Sequence, residues 1–122
     1  GALTTTSDLK NNYRPVRASL NRVEHETGDN KVGSFVGDHV KTGIGTLLTT
    51  GAVIGPASNL FGGGTVSPRE LAAFTWWDGR DQAVYEIEKF LETARIVCAR
   101  RGRTFGEAQE QLYRTIALGR PA

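Results

Sequence analysis

The chain has a single cysteine, two histidines and no methionine in 122 residues. One thiol, Cys98, excludes an internal disulfide and fits a reducing cytoplasm. No apolar run reaches the length of a membrane span, and no secretory leader pattern is present, so a membrane partner is not expected. Aromatic residues make up only 8% of the chain. The charges nearly balance, with 15 basic against 13 acidic side chains, which is not the signature of a nucleic-acid binder. The basic run Arg95, Arg100, Arg101 and Arg103 reads as cations complementing a helix C-terminus. A Gly-x-x-x-x-Gly-Lys phosphate loop and a Gly-x-Ser-x-Gly elbow are both missing, and no His/Cys/Asp set has metal-ligand spacing. No catalytic residue and no metal site is therefore assigned.

Glycine, in contrast, is plentiful at 15 residues. Three of these glycines follow the leading residue of a six-residue beat: Val36-Gly37, Thr42-Gly43, Leu48-Thr49, Ile54-Gly55 and Leu60-Phe61. Neither a helical period of 3.6 nor a strand period of 2 produces that spacing. A hexapeptide solenoid does, with the leading aliphatic turned inward and small residues at the corners. The expected fold is mainly β with an α tail: the end coils of a left-handed parallel β-helix, capped by C-terminal α-helices. Residues 1–61 are assigned to the coils, with a loop or hairpin protruding at about 14–30. Residues 62–122 are assigned to a linker and helical cap. The beat covers under one and a half coils. With no methionine before Gly1, the chain is expected to be a carboxy-terminal fragment that folds poorly on its own.

The tail carries helix signals. Ser67-Pro68-Arg69-Glu70 has the form of a capping box that opens a short helix. Val84, Ile87, Leu91, Ala94 and Cys98, widened by Phe90 and Val97, predict a helix over 83–101 that Gly102 stops. Thr104-Phe105-Gly106-Glu107 predicts a second helix, with Ala108, Leu112 and Ile116 inward and Gly119 at its end. Trp76 and Trp77 are expected in the linker, covering the open end of the coils. Cys98 is expected as a buried small hydrophobe.

Few residues carry chemistry. His25 lies between Glu24 and Glu26 and reads as a solvated loop side chain. His39 falls at a coil corner, where it is either exposed structure or an outward contact. Asn12, Tyr13 and Lys31 bracket the interruption of the beat. They offer an amide, an aromatic hydroxyl and a mobile cation, which suit a polar, phosphate-bearing small molecule. From the residues alone, Asn12 reads equally well as a turn former and Lys31 as a solvated cation.

Gly1-Ala2-Leu3-Thr4-Thr5-Thr6, Asn12-Tyr13, Asn30-Lys31 and Val36-Gly37-Asp38 resemble the last coils of the bifunctional N-acetylglucosamine-1-phosphate uridyltransferase/glucosamine-1-phosphate acetyltransferases. The stretches Thr4 to Tyr13 and Gly37 to Leu48 resemble bacterial sugar nucleotidyltransferases related to those enzymes still more closely. The resemblance implies an amino-terminal nucleotidyltransferase domain outside this chain, which alone would use Mg2+, and a homotrimer. It implies a cytoplasmic enzyme with sugar phosphate and nucleotide substrates, and acetyl-CoA as acetyl donor for a sugar amine. By matching position it places Asn12, Tyr13, Ile44 and Gly62 on acetyl-CoA and Lys31 on the sugar phosphate. At Ile44 and Gly62 the family has Ser and Ala, and the loop before Lys31 is longer than the family's turn. The family's catalytic histidine would precede Gly1, and His39 does not match it. The alternative function is a non-catalytic trimerisation or regulatory module of a nucleotidyltransferase.

Overall fold

The computed structural model describes residues 2–4 and 12–121. Eleven short strands come first: β1 (Ala2–Thr4), β2 (Arg17–Leu20), β3 (Val23–Glu26), β4 (Phe35–Val36), β5 (Lys41–Thr42), β6 (Thr46–Leu48), β7 (Val53–Ile54), β8 (Asn59–Leu60), β9 (Glu70–Leu71), β10 (Thr75–Trp77) and β11 (Gln82–Val84). Two helices follow, α1 (Ile87–Ala99) and α2 (Glu107–Leu118).

These strands do not form the expected left-handed parallel β-helix. They divide into four small sheets, β1-β6, β4-β7-β9, β11-β10-β8-β5 and β2-β3, and none closes or continues as a solenoid. Parallel pairing dominates, but β2-β3 and β10-β11 are antiparallel. The six-residue beat dictates which side chains turn inward, not how successive strands are joined. Leu48, Ile54 and Leu60 do share one core, with Leu71 and Trp77. Val36, which leads the beat, is 53% exposed instead. The register also slips. Phe35 pairs with Val53, but Val53 pairs with Glu70, one residue short of the same step. A reversed strand and an inserted hairpin then interrupt parallel winding.

Residues 14–30 contain the β2-β3 hairpin. Its two central residues, Asn21 and Arg22, both have positive φ, 52° and 64°. This is the left-handed geometry that lets a tight turn follow the twist of its strands. The Glu70 carboxylate ties the hairpin down. It accepts from the Ser19 hydroxyl at 2.8 Å and from the Arg22 backbone N–H at 3.1 Å. This engagement explains why Ser67-Pro68-Arg69-Glu70 opens no helix. The Glu that would cap it is bonded to the hairpin, and Leu71 is 1% exposed in β9.

Trp76 and Trp77 stand in β10 rather than in a linker. Trp77 lies in the core and Trp76 faces outward, as strand alternation requires. The long helix begins at Ile87. The preceding residues pair with β10, leaving Val84 61% exposed rather than inward. Phe90, Leu91 and Ala94 form the buried stripe of α1, and Cys98 is half-buried. The box that opens α2 lies two residues beyond its expected place, where Gln109 Oε1 accepts the Gly106 N–H at 2.9 Å. That shift turns the inward face to Tyr113, while Leu112 is 55% exposed. A second core, Ala57, Phe74, Phe90, Leu91, Ala94 and Tyr113, joins the helices to the strands.

Candidate functional site

Of the five residues assigned to ligands, Ile44 and Gly62 lie in neighbouring turns. Ile44 tops the turn between β5 and β6, and its side chain is 93% exposed. The turn after β8 packs against it. The Gly64 N–H donates to the Gly45 carbonyl at 2.8 Å, and Gly63 lies against the Ile44 carbonyl. Gly62 faces the other way. A Cβ there would stand 2.0 Å from Gly79 Cα. The glycine is thus required by close backbone packing, which accounts for the departure from Ala at this position.

Asn12, Tyr13 and Lys31 lie elsewhere, at the base of the hairpin, and all three are exposed. Asn12 Oδ1 accepts the Arg14 N–H at 3.1 Å, an Asx-type turn. Tyr13 has a φ of 58°. Lys31 precedes Val32 and Gly33, whose N–H groups donate to the buried Thr50 hydroxyl. Among the described residues, no hydrogen bond or ion pair joins these three to the Ile44 turn. Residues 5–11, part of one of the two matching stretches, lie outside the described residues.

Ile44 and Tyr13 are both exposed, on the β5–β6 turn and at the hairpin base respectively, so an acyl carrier such as acetyl-CoA would meet them as separate surfaces of one chain. Gly62 is already filled by its neighbour. When bound, the coenzyme would supply the acetyl group as a thioester. Among the described residues, no group of three or more His, Cys, Asp and Glu could hold a metal ion.

His39 is enclosed by aromatic rings. Its imidazole meets Phe90, Tyr113 and Phe105 edge-on at centroid distances of 5.4, 5.5 and 5.9 Å. Burial lowers its pKa, and Lys41 lowers it further against the opposing pull of Asp38. Tyr113 is pushed up, first by burial and then by Asp38 and Cys98. His39 therefore acts as a strut between the strands and both helices.

The helices are also joined by charge. The Arg114 guanidinium donates to Glu88 at 2.7 Å and to Glu110 at 2.9 Å, and Arg95 donates to Glu110 at 2.8 Å. These bonds lower the Glu88 and Glu110 carboxyls and raise Arg114. The hollow over α2 lined by Glu107, Ala108, Glu110, Gln111 and Arg114 is thus already charge-paired. Of the basic run, Arg95 serves this network.

A further constellation, on the outer face of β5-β8-β10, carries no sequence motif. Phe61 and Trp76 meet at 5.1 Å, Trp76 and Tyr85 at 5.5 Å, and the Lys41 ammonium stands 5.8 Å from the Tyr85 ring centre. Burial lowers the Lys41 pKa. The available signal was the spacing of Lys41, Asn59 and Trp76, which are register partners on adjacent strands.

Comparison with known proteins gives one partial match. Over 67 residues, 55% of this chain, the sequence is 30% identical to a bifunctional sugar-1-phosphate nucleotidylyltransferase/acetyltransferase of Sulfurisphaera tokodaii. The chain is distantly related to that family. It spans 17% of that relative's length. The relation is to sugar-1-phosphate nucleotidyltransferase/acetyltransferases broadly and does not single out the uridyltransferase. No protein-family model matches the chain, and no solved structure matches it.

Proposed function

We propose that the chain is the carboxy-terminal part of a sugar-nucleotide-synthesising transferase. The parent would transfer a nucleotidyl group to a sugar 1-phosphate and acetylate glucosamine 1-phosphate from acetyl-CoA. The distant relation to a bifunctional enzyme of that description carries this reading. In it, Asn12, Tyr13 and the Ile44 turn contact the coenzyme, Gly62 shapes the turn beside it, and Lys31 meets the sugar phosphate. Ile44 and Lys31 lie apart in one chain, so a groove using both would be completed by a second copy, consistent with a cytoplasmic homotrimer. The base that takes the amine proton would come from outside this chain.

Calorimetric titration of the full chain with acetyl-CoA tests the reading. Binding that weakens about tenfold or more in Asn12→Ala and Tyr13→Ala supports it, an interval of about 1.4 kcal/mol. Absence of binding at millimolar coenzyme rejects it. Sedimentation gives the assembly state independently.

A second reading, a non-catalytic assembly or regulatory module, draws on His39. The His39 imidazole is committed to aromatic packing. A trimer that binds no acetyl-CoA would favour it.

A further inference from the structure

Asn59 is anomalous among the described residues. It is 7% exposed, and its Nδ2 is buried with no hydrogen-bond partner. A buried amide donor without an acceptor is costly, so such a group persists where something supplies the acceptor.

Its surroundings indicate what that is. Asn59 pairs in register with Lys41 on one side and Trp76 on the other. Register partners project from the same face of a sheet, so the three side chains form one row. Adjacent strands stand about 4.8 Å apart, which puts the outer two about 10 Å from each other. The Tyr85 ring lies 5.8 Å from the Lys41 ammonium and 5.5 Å from the Trp76 ring. It therefore stands between the two outer side chains of the row. Leu60, the next residue, points into the core at 1% exposure, so Asn59 points away from it. Among the described residues Lys41 has no carboxylate partner, and the Tyr85 ring is its neighbour. Trp76 and Phe61 remain 39% and 46% exposed beside it.

We propose that this row is a binding site for a phosphate carried on a ring. Asn59 Nδ2 and the Lys41 ammonium take the phosphate oxygens, the ring stacks on Trp76, and Tyr85 turns aside to admit the ligand. An amide donor and a mobile cation side by side suit a phosphate group. A flat aromatic face suits either the stacked base of a nucleotide or the apolar face of a sugar. The site uses none of the residues assigned to acetyl-CoA and stands without that reading.

The test is calorimetric titration of the full chain with glucose 1-phosphate, adenosine 5′-monophosphate and inorganic phosphate, with glucose and adenosine as uncharged controls. At least one ring phosphate is expected to bind about tenfold more tightly than inorganic phosphate and to quench the exposed Trp76. Which one binds identifies the source of the phosphate. Lys41→Ala and Asn59→Ala are each expected to weaken binding about tenfold, the worth of one charge-assisted or amide hydrogen bond. Asn59→Ala should melt no lower than the parent, because it removes a donor that lacks an acceptor. The proposal is overturned if no ring phosphate binds at millimolar concentration. It is equally overturned if binding ignores both substitutions, or if Asn59→Ala melts lower with binding intact, which would make the amide a structural group. Acetyl-CoA binding that is lost in Lys41→Ala but kept in Asn12→Ala and Tyr13→Ala would place the coenzyme's own phosphates on this row and reject the Asn12–Tyr13 assignment alone.

Discussion

At Gly62 the backbone has no room for a methyl group. A Cβ would fall 2.0 Å from Gly79 Cα, a contact with backbone that cannot rotate away. Gly62→Ala is therefore expected to destabilise the chain by about 2 kcal/mol or more, as overpacking does, read as a lower urea midpoint. His39 makes the second prediction at this scale. Its backbone is left-handed, with φ 59°, so Asn is the substitution that keeps the turn while removing the ring. Losing three edge contacts should cost about 1–3 kcal/mol. The imidazole also couples folding to pH. Burial lowers its folded pKa, so the unfolded chain takes the proton first as pH falls. The His39 contribution is fully present above about pH 6.5, the ordinary value. It is lost as pH falls from there through the lowered folded value. Thermal melts of the parent and His39→Asn between pH 7.5 and 5 should converge toward acid. Parallel curves would show that His39 does not titrate in this range.

Short strands explain most of what could not be read from the sequence at the level of elements. The apolar stripe of α1 was legible: Phe90, Leu91 and Ala94 are buried. The strands from Glu70 to Val84 were not, because two or three residues cannot display a period-2 pattern. Ser67-Pro68-Arg69-Glu70 misled for a chemical reason, since Glu70 binds Ser19 and Arg22 rather than its own segment. Asn59 was not legible because an asparagine among glycines reads as a turn residue, and its place between Lys41 and Trp76 is set by strands distant in sequence. The Glu70 link yields a prediction. Glu70→Ala should free the β2-β3 hairpin and speed amide exchange across β2 and β3 by about tenfold, while α1 keeps its protection. Equal loss of protection in both would show the hairpin to be part of the global folding unit.

At the scale of the whole molecule, the six-residue beat specified a core lining but not the path of the chain. Leu48, Ile54, Leu60, Leu71 and Trp77 form one cluster, and Phe74, Phe90, Leu91 and Tyr113 belong to the other. Residues of the strand region contribute to both, to the second from the connections between strands. Ala57 and Phe74, each 1% exposed, flank the β8 and β9 segments and carry the helices. Unfolding the strands would thus expose the helical core, and the reverse also holds. Each buried Leu, Ile or Phe side chain contributes about 1.5–3 kcal/mol. Either cluster alone is then comparable with the whole stability of a small domain, about 5–15 kcal/mol. Coupling between the clusters predicts one transition. Trp77, 3% exposed in the strand core, gives a fluorescence signal for one cluster, and the helical dichroism of α1 and α2 reports the other. The two denaturation curves of the full chain should coincide. Leu60→Ala should move both together by about 2–5 kcal/mol, although it touches only the strand core. A helical signal that stays at the parent's midpoint while tryptophan shifts would separate the clusters. The strand body and the helical pair would then be independent units joined at His39 and Phe74.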